Sequence, residues 1–414
     1  MNTLQKDKKE LFELGDELFK HTELGYKEFT NKKILEKYLN DHGIETINLG
    51  FETAFKATIG KGSPKIGLIA ELDAIPTLGH PYANKKDNNA AHSCGHSTQC
   101  AIMAYTLVKL KDIIKKGSVT LYFTPAEEYT DINYRKKLIK EKKINYIGGK
   151  VNMLVAKQFD DEDLFIHIHT MGQNKYDFSL NTSLSGFIYK EITFKGKATH
   201  AAVAPHKGIN ALNAFVLFDN AINMLRETFR EKDYIRIHGV LSEGGQTVNS
   251  IPEKAVYECY VRSQNQKALI ETAKKVDNAA KHCAQAIGAS VSIKSSPGYL
   301  PMQQNKLISD IVKKEMLKIT KPEQIYDNEV SMAAGDIGDL SCFKPTIQFG
   351  YGGFKGNCHG KDLCINDYNK AYLNASIVIY NSVQYLLNHP EYVNKIKKEF
   401  KPTLTKKEYL AYLK

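Results

Sequence analysis

Three segments of the 414-residue sequence bring together side chains that bind divalent metal ions. Residues 92–96, with the sequence HSCGH, offer one thiolate and two imidazoles. Residues 124–128, TPAEE, place two adjacent carboxylates directly after an apolar run. Residues 165–169, FIHIH, put two histidines on one face of a strand, because side chains alternate along a strand. Since cysteine, histidine and carboxylate side chains are the usual protein ligands of zinc and similar ions, the three segments together predict a metal site.

The paired carboxylates indicate more than metal binding. Adjacent side chains at the end of a strand point in different directions, so one of Glu127 and Glu128 can bind a metal ion while the other deprotonates a water molecule. A further histidine, His359, lies in a loop after another apolar run. With it, the sequence supplies enough nitrogen, oxygen and sulfur ligands for one or two ions. Each segment taken alone would also suit a structural role, such as acidic residues in the first turn of a helix.

The elements that must position these segments follow from hydrophobic periodicity. Apolar runs predict strands at residues 54–59, 66–70 and 119–123, and helical spacing predicts helices at residues 5–20, 29–42 and 99–114. Strands that alternate with helices predict an α/β layered core.

The pattern changes between about residues 186 and 296. Strand-like and helical stretches follow one another there in the order β-α-β-β-α-β, which predicts a compact ferredoxin-like α+β insert. The strands are predicted at 187–194, 235–241, 255–262 and 290–294, and the helices at 211–227 and 266–287. Helical and strand patterns resume at 305–319, 346–351 and 370–387. We therefore predict two domains: a catalytic domain formed by residues 1–185 and 297–414, and an inserted domain at residues 186–296.

The composition excludes several other classes of protein. Hydrophobic residues make up 42% and charged residues 25%, which is typical of a globular protein and not of a disordered chain. The net charge is +11, but only five of the 57 basic residues are arginine, which favours a solvated basic surface over a nucleic-acid interface. The N-terminus lacks the apolar core of a signal peptide, no 18-residue apolar stretch occurs, and the seven cysteines show no disulfide spacing. We expect a cytoplasmic protein that binds neither nucleic acid nor membranes.

Taken as a set, these motifs resemble those of the M20 metallopeptidases, and within them the amidohydrolase/aminoacylase branch. That branch has a Cys-Gly-His motif, a Pro-Ala-Glu-Glu motif, a strand histidine and a late histidine. Four further segments look like signatures of the branch: residues 19–24 (FKHTEL), 71–76 (ELDAIP), 196–202 (GKATHAA) and 249–252 (NSIP) followed by Arg262. The resemblance covers nearly the whole chain.

Carried over residue by residue, the resemblance implies a two-metal centre. Its five ligands would be Cys94, His96, Glu128, His169 and His359. The ions would be manganese or zinc, with cobalt or nickel as alternatives, and would activate a water molecule and polarise the amide carbonyl. Glu127 would act as the general base and return the proton to the leaving amine, and Asp73 would orient a metal ligand.

The resemblance also implies roles for the inserted domain. It would be a lid and dimerisation domain on a zinc-peptidase-like α/β/α catalytic domain, so the protein would be a homodimer. His200, Asn249 and Arg262 would hold the substrate carboxylate and the developing oxyanion, with the histidine often supplied by the partner subunit. A salt bridge within the insert is the structural alternative for Arg262.

Three features depart from the branch or leave a choice open. Ser97 stands where an Asp or Asn usually follows Cys-Gly-His, which predicts altered hydrogen bonding around the ligands. Residues 336–341, DIGDLS, look more like the aminobenzoyl-glutamate hydrolase and dipeptide-hydrolase subgroup. His167 competes with His169 as the strand ligand, and His169 is preferred because it lies six residues after Asp163.

The function expected from these features is a metal-dependent amidohydrolase acting on a small-molecule amide. The substrate would be an N-acyl amino acid, an aminobenzoyl-glutamate-like conjugate or a small dipeptide. A dipeptidase or aminopeptidase on the same scaffold is the alternative enzyme. A noncatalytic metal-binding relative is the alternative from another class, and the spare glutamate beside a ligand argues against it.

Overall fold

The computed structural model describes residues 3–413, and they form two compact units. The larger unit contains residues 3–183, 303–330 and 339–404, and the smaller unit contains residues 184–302, 331–338 and 405–413. No helix in the described part of the chain is long and apolar enough to span a membrane.

The helices and strands are numbered in chain order through the described residues. The α-helices are α1 (Thr3–Lys6), α2 (Lys8–Lys20), α3 (Phe29–Asp41), α4 (His96–Lys111), α5 (Ile132–Lys140), α6 (Gly149–Val155), α7 (Ala211–Met224), α8 (Gln266–Ala286), α9 (Lys306–Met316), α10 (Ile337–Ser341), α11 (Ala375–Asn388), α12 (Pro390–Glu399) and α13 (Lys406–Tyr412). The strands are β1 (Thr46–Gly50), β2 (Ala54–Lys61), β3 (Lys65–Glu71), β4 (Ile75–Pro76), β5 (Ala90–Ala91), β6 (Gly117–Thr124), β7 (Leu164–Thr170), β8 (Phe178–Leu180), β9 (Gly186–Lys195), β10 (Arg236–Glu243), β11 (Lys254–Ser263), β12 (Ser290–Pro297), β13 (Ile325–Asp327), β14 (Thr346–Tyr351), β15 (Phe354–Lys355) and β16 (Cys364–Ile365).

The larger unit is built on an eight-stranded mixed sheet with the order β1-β2-β6-β3-β7-β14-β8-β13. Every residue of β6 is buried, and all but the first residue of β3 are buried, which explains why both strands read as continuous apolar runs. Helix α4 is buried on almost every side, because it packs against the sheet and against α2 and α11. The α/β fold class predicted from the sequence is confirmed.

Four parallel strands lie side by side in this sheet, in the order β6, β3, β7 and β14. Parallel strands end at the same edge of a sheet, and ligand sites in α/β folds lie beyond the carboxyl ends. The ends of these strands are Thr124, Glu71, Thr170 and Tyr351. The segments that carry the paired glutamates, the strand histidines and His359 therefore all come to one edge.

The smaller unit has the element order predicted for the insert. Its four strands form an antiparallel sheet in the order β10-β11-β9-β12, and α7 and α8 pack against it through a separate apolar core. This is the strand arrangement of a ferredoxin-like domain.

Two details differ from the sequence-based expectation. The helix expected from residue 99 begins at His96, because Gly95 takes a left-handed conformation with φ 78° and ends the preceding loop. The smaller unit runs from residue 184 to 302 and also takes in residues 331–338 and 405–413, whereas the insert was expected at residues 186–296. The two added segments are distant in sequence, so no local pattern assigns them to this unit.

Candidate metal centre

Three candidate ligands converge around the Cys94 thiol. Its Sγ lies 3.3 Å from the Nε2 atoms of both His169 and His359. The same His359 Nε2 lies 3.1 Å from Oε1 of Glu128. These are separations expected between neighbouring ligands of one metal ion, since metal–ligand bonds of roughly 2.0–2.3 Å place the ligands slightly more than 3 Å apart.

His96 joins this group from the first turn of α4. One ligand atom each from Cys94, His96 and His169 lie within 4.8 Å of one another, and the same holds for His96, Glu127 and Glu128. The structure therefore brings together all five residues for which the resemblance implied metal binding. It also places Glu127, the candidate base, beside two of them.

Asp73 connects two of these residues. Its backbone oxygen lies 2.8 Å and its Oδ1 3.2 Å from Nδ1 of His96. Its Oδ2 accepts a hydrogen bond of 2.9 Å from the backbone N–H of Glu128. On the strand side, Nδ1 of His169 lies 2.8 Å from the backbone oxygen of Thr170. These contacts direct the Nε2 atoms of both histidines toward the centre, as is usual for metal-binding histidines.

Two buried side-chain atoms of the five candidate ligands lack a hydrogen bond within residues 3–413: Nε2 of His96 and Oε1 of Glu128. Buried polar atoms are nearly always paired, so atoms left unpaired indicate a missing partner such as an ion. Both are acceptors when deprotonated, and they lie among a thiol and further imidazoles. The donor set and the unpaired atoms fit divalent metal ions.

The metal-free centre holds protons that an ion would displace. Burial and the nearby Glu128 carboxylate raise the pKa of the Cys94 thiol well above its usual value. Burial opposes the charged form of His96, but Glu71 and Asp73 outweigh it and raise the His96 pKa. Burial lowers the pKa of His169 to about 4, so this imidazole is neutral and able to bind metal at neutral pH. Because Cys94 and His96 must lose protons to bind an ion, metal affinity rises with pH.

The backbone takes a left-handed conformation at three positions of the candidate centre. Gly95, Ala126 and His359 have left-handed conformations, with φ of 78°, 54° and 64°. Ala126 precedes the two glutamates, and its N–H donates a hydrogen bond of 2.9 Å to Oε1 of the fully buried Glu28. Its carbonyl oxygen accepts a 3.4 Å contact from Nη1 of the equally buried Arg135. Residues held in rare conformations cluster at functional sites, where surrounding contacts fix them.

Glu28 gives the metal-free protein a predicted pH dependence. Burial, with the nearby Asp73, raises the pKa of Glu28 from 4.5 to about 8. Between these values the folded state keeps a proton that the unfolded state has lost, so the free energy of unfolding falls as pH rises. The slope from this group is about 1.4 kcal/mol per pH unit. Glu28→Gln should flatten the profile between about pH 5 and 8, measured by urea unfolding. Equal slopes in both proteins would contradict the assignment.

His167 lies behind the centre and does not reach Cys94. Its Nε2 is 3.2 Å from Oε1 of Glu71 and 2.9 Å from Nε2 of Gln99, and its Nδ1 is 3.0 Å from Oε1 of Gln348. The geometry thus favours His169 as the strand ligand.

Sequence reasoning missed the buried carboxylate of Glu71. It lies 3.3 Å from Nε2 of His96 and 2.5 Å from Nζ of Lys150. A signal for Glu71 exists, because this residue begins the ELDAIP segment, in which the resemblance gives a role only to Asp73. No local pattern pointed to Lys150, which lies 79 residues further along the chain.

Ser97 follows the Cys-Gly-His motif, at the position where the branch usually has an Asp or Asn. Ser97 is buried, and its hydroxyl has no hydrogen-bond partner among residues 3–413. The centre therefore receives no orienting hydrogen bond from this position.

His200 and Asn249 lie on adjacent extended segments of the smaller unit. The N–H of Ala201 donates a 2.9 Å hydrogen bond to the carbonyl oxygen of Asn249, and the segments pair again where Ile251 N–H meets the Thr199 carbonyl oxygen. Both side chains are exposed. The structure thus brings these two predicted substrate-binding residues together at the surface of this unit.

Arg262 lies on β11 of the same unit. Its guanidinium lies over the rings of Phe187 and Tyr260, at 5.3 Å and 5.2 Å, and its Nη1 donates to the carbonyl oxygen of Met332 at 3.3 Å. Arg262 has no carboxylate ion-pair partner in the described part of the chain. The side chain is therefore positioned by stacking, and its charge is not neutralised by an internal salt bridge.

A family model described as peptidase family M20/M25/M40 matches residues 67–384. The chain belongs to this family, which confirms the resemblance inferred from the motifs.

Individual relatives agree with this assignment. The chain is 26% identical over 318 residues to a Xaa-Arg dipeptidase from Mus musculus, a match that covers 72% of this chain but only 65% of the relative. It is 26% identical over 362 residues to an N-acetyldiaminopimelate deacetylase from Lactococcus lactis subsp. cremoris, covering 83% of this chain and 89% of the relative. A dinuclear metal-binding M20 peptidase from Bacillus subtilis has the same fold, with a TM-score of 0.73 at 20% identity over 93% of this chain and 99% of that one.

Proposed function

We propose that this protein is a metal-dependent amidohydrolase that cleaves the amide bond of N-acyl amino acids or related conjugates. The observation that carries the proposal is the adjacent pair Glu127 and Glu128 within a cluster of cysteine and histidine ligands. A structural metal site needs ligands only, whereas a hydrolytic site also needs a base. Similarity to a deacetylase over most of both chains supports the same class of reaction.

Each residue of the centre has a role in this proposal. The ligands of two ions, manganese or zinc, are Cys94, His96, Glu128, His169 and His359. The ions supply Lewis acidity, which lowers the pKa of water and polarises the amide carbonyl. Glu127 accepts the proton of the attacking water and passes it to the leaving amine. Asp73 orients His96 and the Glu128 backbone through the contacts described above.

The smaller unit supplies the substrate-binding groups in this proposal. Arg262 offers a guanidinium that can bind a carboxylate through two parallel hydrogen bonds. Its stacking on Phe187 and Tyr260 fixes the plane of those donors. His200 and Asn249 offer further polar side chains for the substrate carboxylate and the developing oxyanion. A substrate with a free α-carboxylate follows from this arrangement.

A homodimer formed through the smaller unit is part of the same proposal. Strand β10 is an edge of its sheet, and Val240 on that edge is 60% exposed. Helix α7 exposes Val216 and Leu217 as well. Apolar side chains beside an unpaired strand edge favour pairing with a second copy. Light scattering on the purified protein tests this, and a monomer would exclude a histidine contributed by a partner. We also propose that the protein works in the cytoplasm.

A dipeptidase is the second candidate function, and the similarity to the Xaa-Arg dipeptidase favours it. Both reactions use the same centre, so the substrates must separate them. A dipeptidase requires a free α-amine next to the scissile bond, whereas an amidohydrolase accepts the acylated amine.

The test is amine release from a panel of N-acetyl amino acids, aminobenzoyl-glutamate and dipeptides. The protein is stripped of metal, and manganese or zinc is then restored. We expect hydrolysis of acylated amino acids only after an ion has been restored. Hydrolysis restricted to dipeptides with a free amine would select the second function. Binding of two ions without turnover of any substrate would favour the noncatalytic relative.

A further inference from the structure

Glu71 ends strand β3 and is only 2% exposed. Its two carboxylate oxygens face different partners. Oε1 lies 2.5 Å from Nζ of Lys150 and 3.2 Å from Nε2 of His167, and Oε2 lies 3.2 Å from Nε2 of Gln99 and 3.3 Å from Nε2 of His96. The carboxylate thus reaches from a buried ammonium to a candidate metal ligand.

The contact with His96 is not a hydrogen bond. Nε2 of His96 has no hydrogen-bond partner among residues 3–413, although Oε2 of Glu71 is 3.3 Å away. Nδ1 of the same ring faces the backbone oxygen of Asp73 at 2.8 Å and donates its proton there. When His96 loses the proton of Nε2 in order to bind a metal ion, Nε2 carries a lone pair, so two acceptor atoms then lie beside each other in a buried site. Two such atoms repel each other unless a cation lies between them.

The distance matches that of two ligands on one ion. With bonds of roughly 2.0–2.2 Å, nitrogen and oxygen ligands of a tetrahedral ion lie roughly 3.3–3.6 Å apart. The lone pairs of both ligands then point at the ion and not at each other. This accounts for a close contact that is not a hydrogen bond. Glu128 and His359, two ligands implied by the resemblance, show a similar separation of 3.1 Å, and there the unpaired atom is the carboxylate oxygen.

Glu71 also faces the reacting side of the centre. One of its carboxylate oxygens lies within 4.8 Å of one from Glu127.

We propose that Glu71 is a sixth ligand of the two-metal centre and shares the ion bound by Nε2 of His96. This inference rests on the proposed function only for the presence of metal ions. Lys150 is a positioning residue in this arrangement, because it holds Oε1 and leaves Oε2 directed toward His96.

The test measures metal binding rather than turnover. Metal-stripped wild-type protein, Glu71→Gln and Lys150→Met are titrated with Co²⁺ by calorimetry, and the visible absorption of the bound cobalt is recorded. For Glu71→Gln we expect one of the two Co²⁺ ions to bind at least about 10-fold more weakly, with a changed cobalt spectrum. For Lys150→Met we expect a smaller loss of cobalt affinity than for Glu71→Gln, together with a changed cobalt spectrum, because Oε1 is no longer held and Oε2 loses its direction toward His96.

A matched control separates metal binding from the loss of a buried ion pair. Lys190 of the smaller unit is also buried and lies 2.7 Å from Oδ1 of Asp277. Lys190→Met should change stability without changing the cobalt spectrum. If Lys150→Met does not fold, Glu71→Gln and its spectrum decide the question alone.

The possible outcomes are distinct from those of the hydrolysis test. Two Co²⁺ ions bound by Glu71→Gln with unchanged affinity and spectrum would overturn this inference and leave the proposed function standing. A wild-type protein that binds two ions but hydrolyses nothing would overturn the function and leave the ligand assignment intact. A wild-type protein that binds no Co²⁺ would overturn both.

Discussion

Glu127→Gln is expected to reduce amide hydrolysis by about 10²–10⁴-fold in kcat while both metal ions stay bound. Glutamine keeps the size of the side chain but does not accept a proton at neutral pH. Glu127 lies in the cluster with His96 and Glu128, so it can reach a water molecule held at the centre. The measurement combines kcat on the best substrate of the panel with the metal content of the dialysed variant.

Glu128→Gln is the matched control, because it makes the same chemical change one residue along the chain. Glu128 is 3.1 Å from His359 and shares a ligand group with Cys94, so this variant should lose metal affinity as well as activity. Glu127→Gln should therefore lose turnover and keep its metal ions, whereas Glu128→Gln should lose both turnover and metal affinity. Loss of metal from Glu127→Gln, with metal retained in Glu128→Gln, would reverse the two roles.

The sequence predicted the fold well because the relevant patterns are local. Continuous apolar runs marked β3 and β6, and the β-α-β-β-α-β order marked the insert. The candidate centre was also accessible, since its cysteine, histidine and glutamate residues directly follow or end elements with clear periodicity. The choice between His167 and His169 needed the structure, because both lie on the same face of β7 and only the second reaches Cys94.

What the sequence did not reveal depends on long-range contacts and on backbone conformation. The ion pair between Glu71 and Lys150 joins residues 79 positions apart, and neither residue type indicates a buried partner. Ala126 has a left-handed conformation, and its N–H donates a hydrogen bond to Glu28, which lies 98 residues earlier in the chain. An alanine in the sequence does not indicate a left-handed conformation, whereas a glycine such as Gly95, before the start of α4, does.

Gly95→Ala is expected to disrupt the candidate metal centre by shifting the backbone between Cys94 and His96. A Cβ at this position would lie 2.5 Å from Cγ2 of Thr170, and φ is +78°. The backbone must therefore move, and Cys94 and His96 on either side would move with it. We expect a loss of about 10–100-fold in metal affinity, because ligand orientation governs binding. Overpacking and left-handed strain should together lower the free energy of unfolding by about 2–5 kcal/mol. Calorimetric metal titration and urea unfolding measure the two effects.

Two further variants separate the steric clash from the backbone strain. Gly62 has a similar φ of +89° with nothing within 4 Å of an added methyl group, so Gly62→Ala should show only the strain, about 1–2 kcal/mol, and unchanged metal affinity. Thr170→Ser removes Cγ2 but keeps the hydroxyl that accepts the N–H of Gly172 at 3.1 Å. Added to Gly95→Ala, it should restore much of the lost metal affinity, and the coupling between the two changes measures the clash. If the double variant binds metal no better than Gly95→Ala, the left-handed conformation itself, rather than contact with Thr170, positions the two ligands.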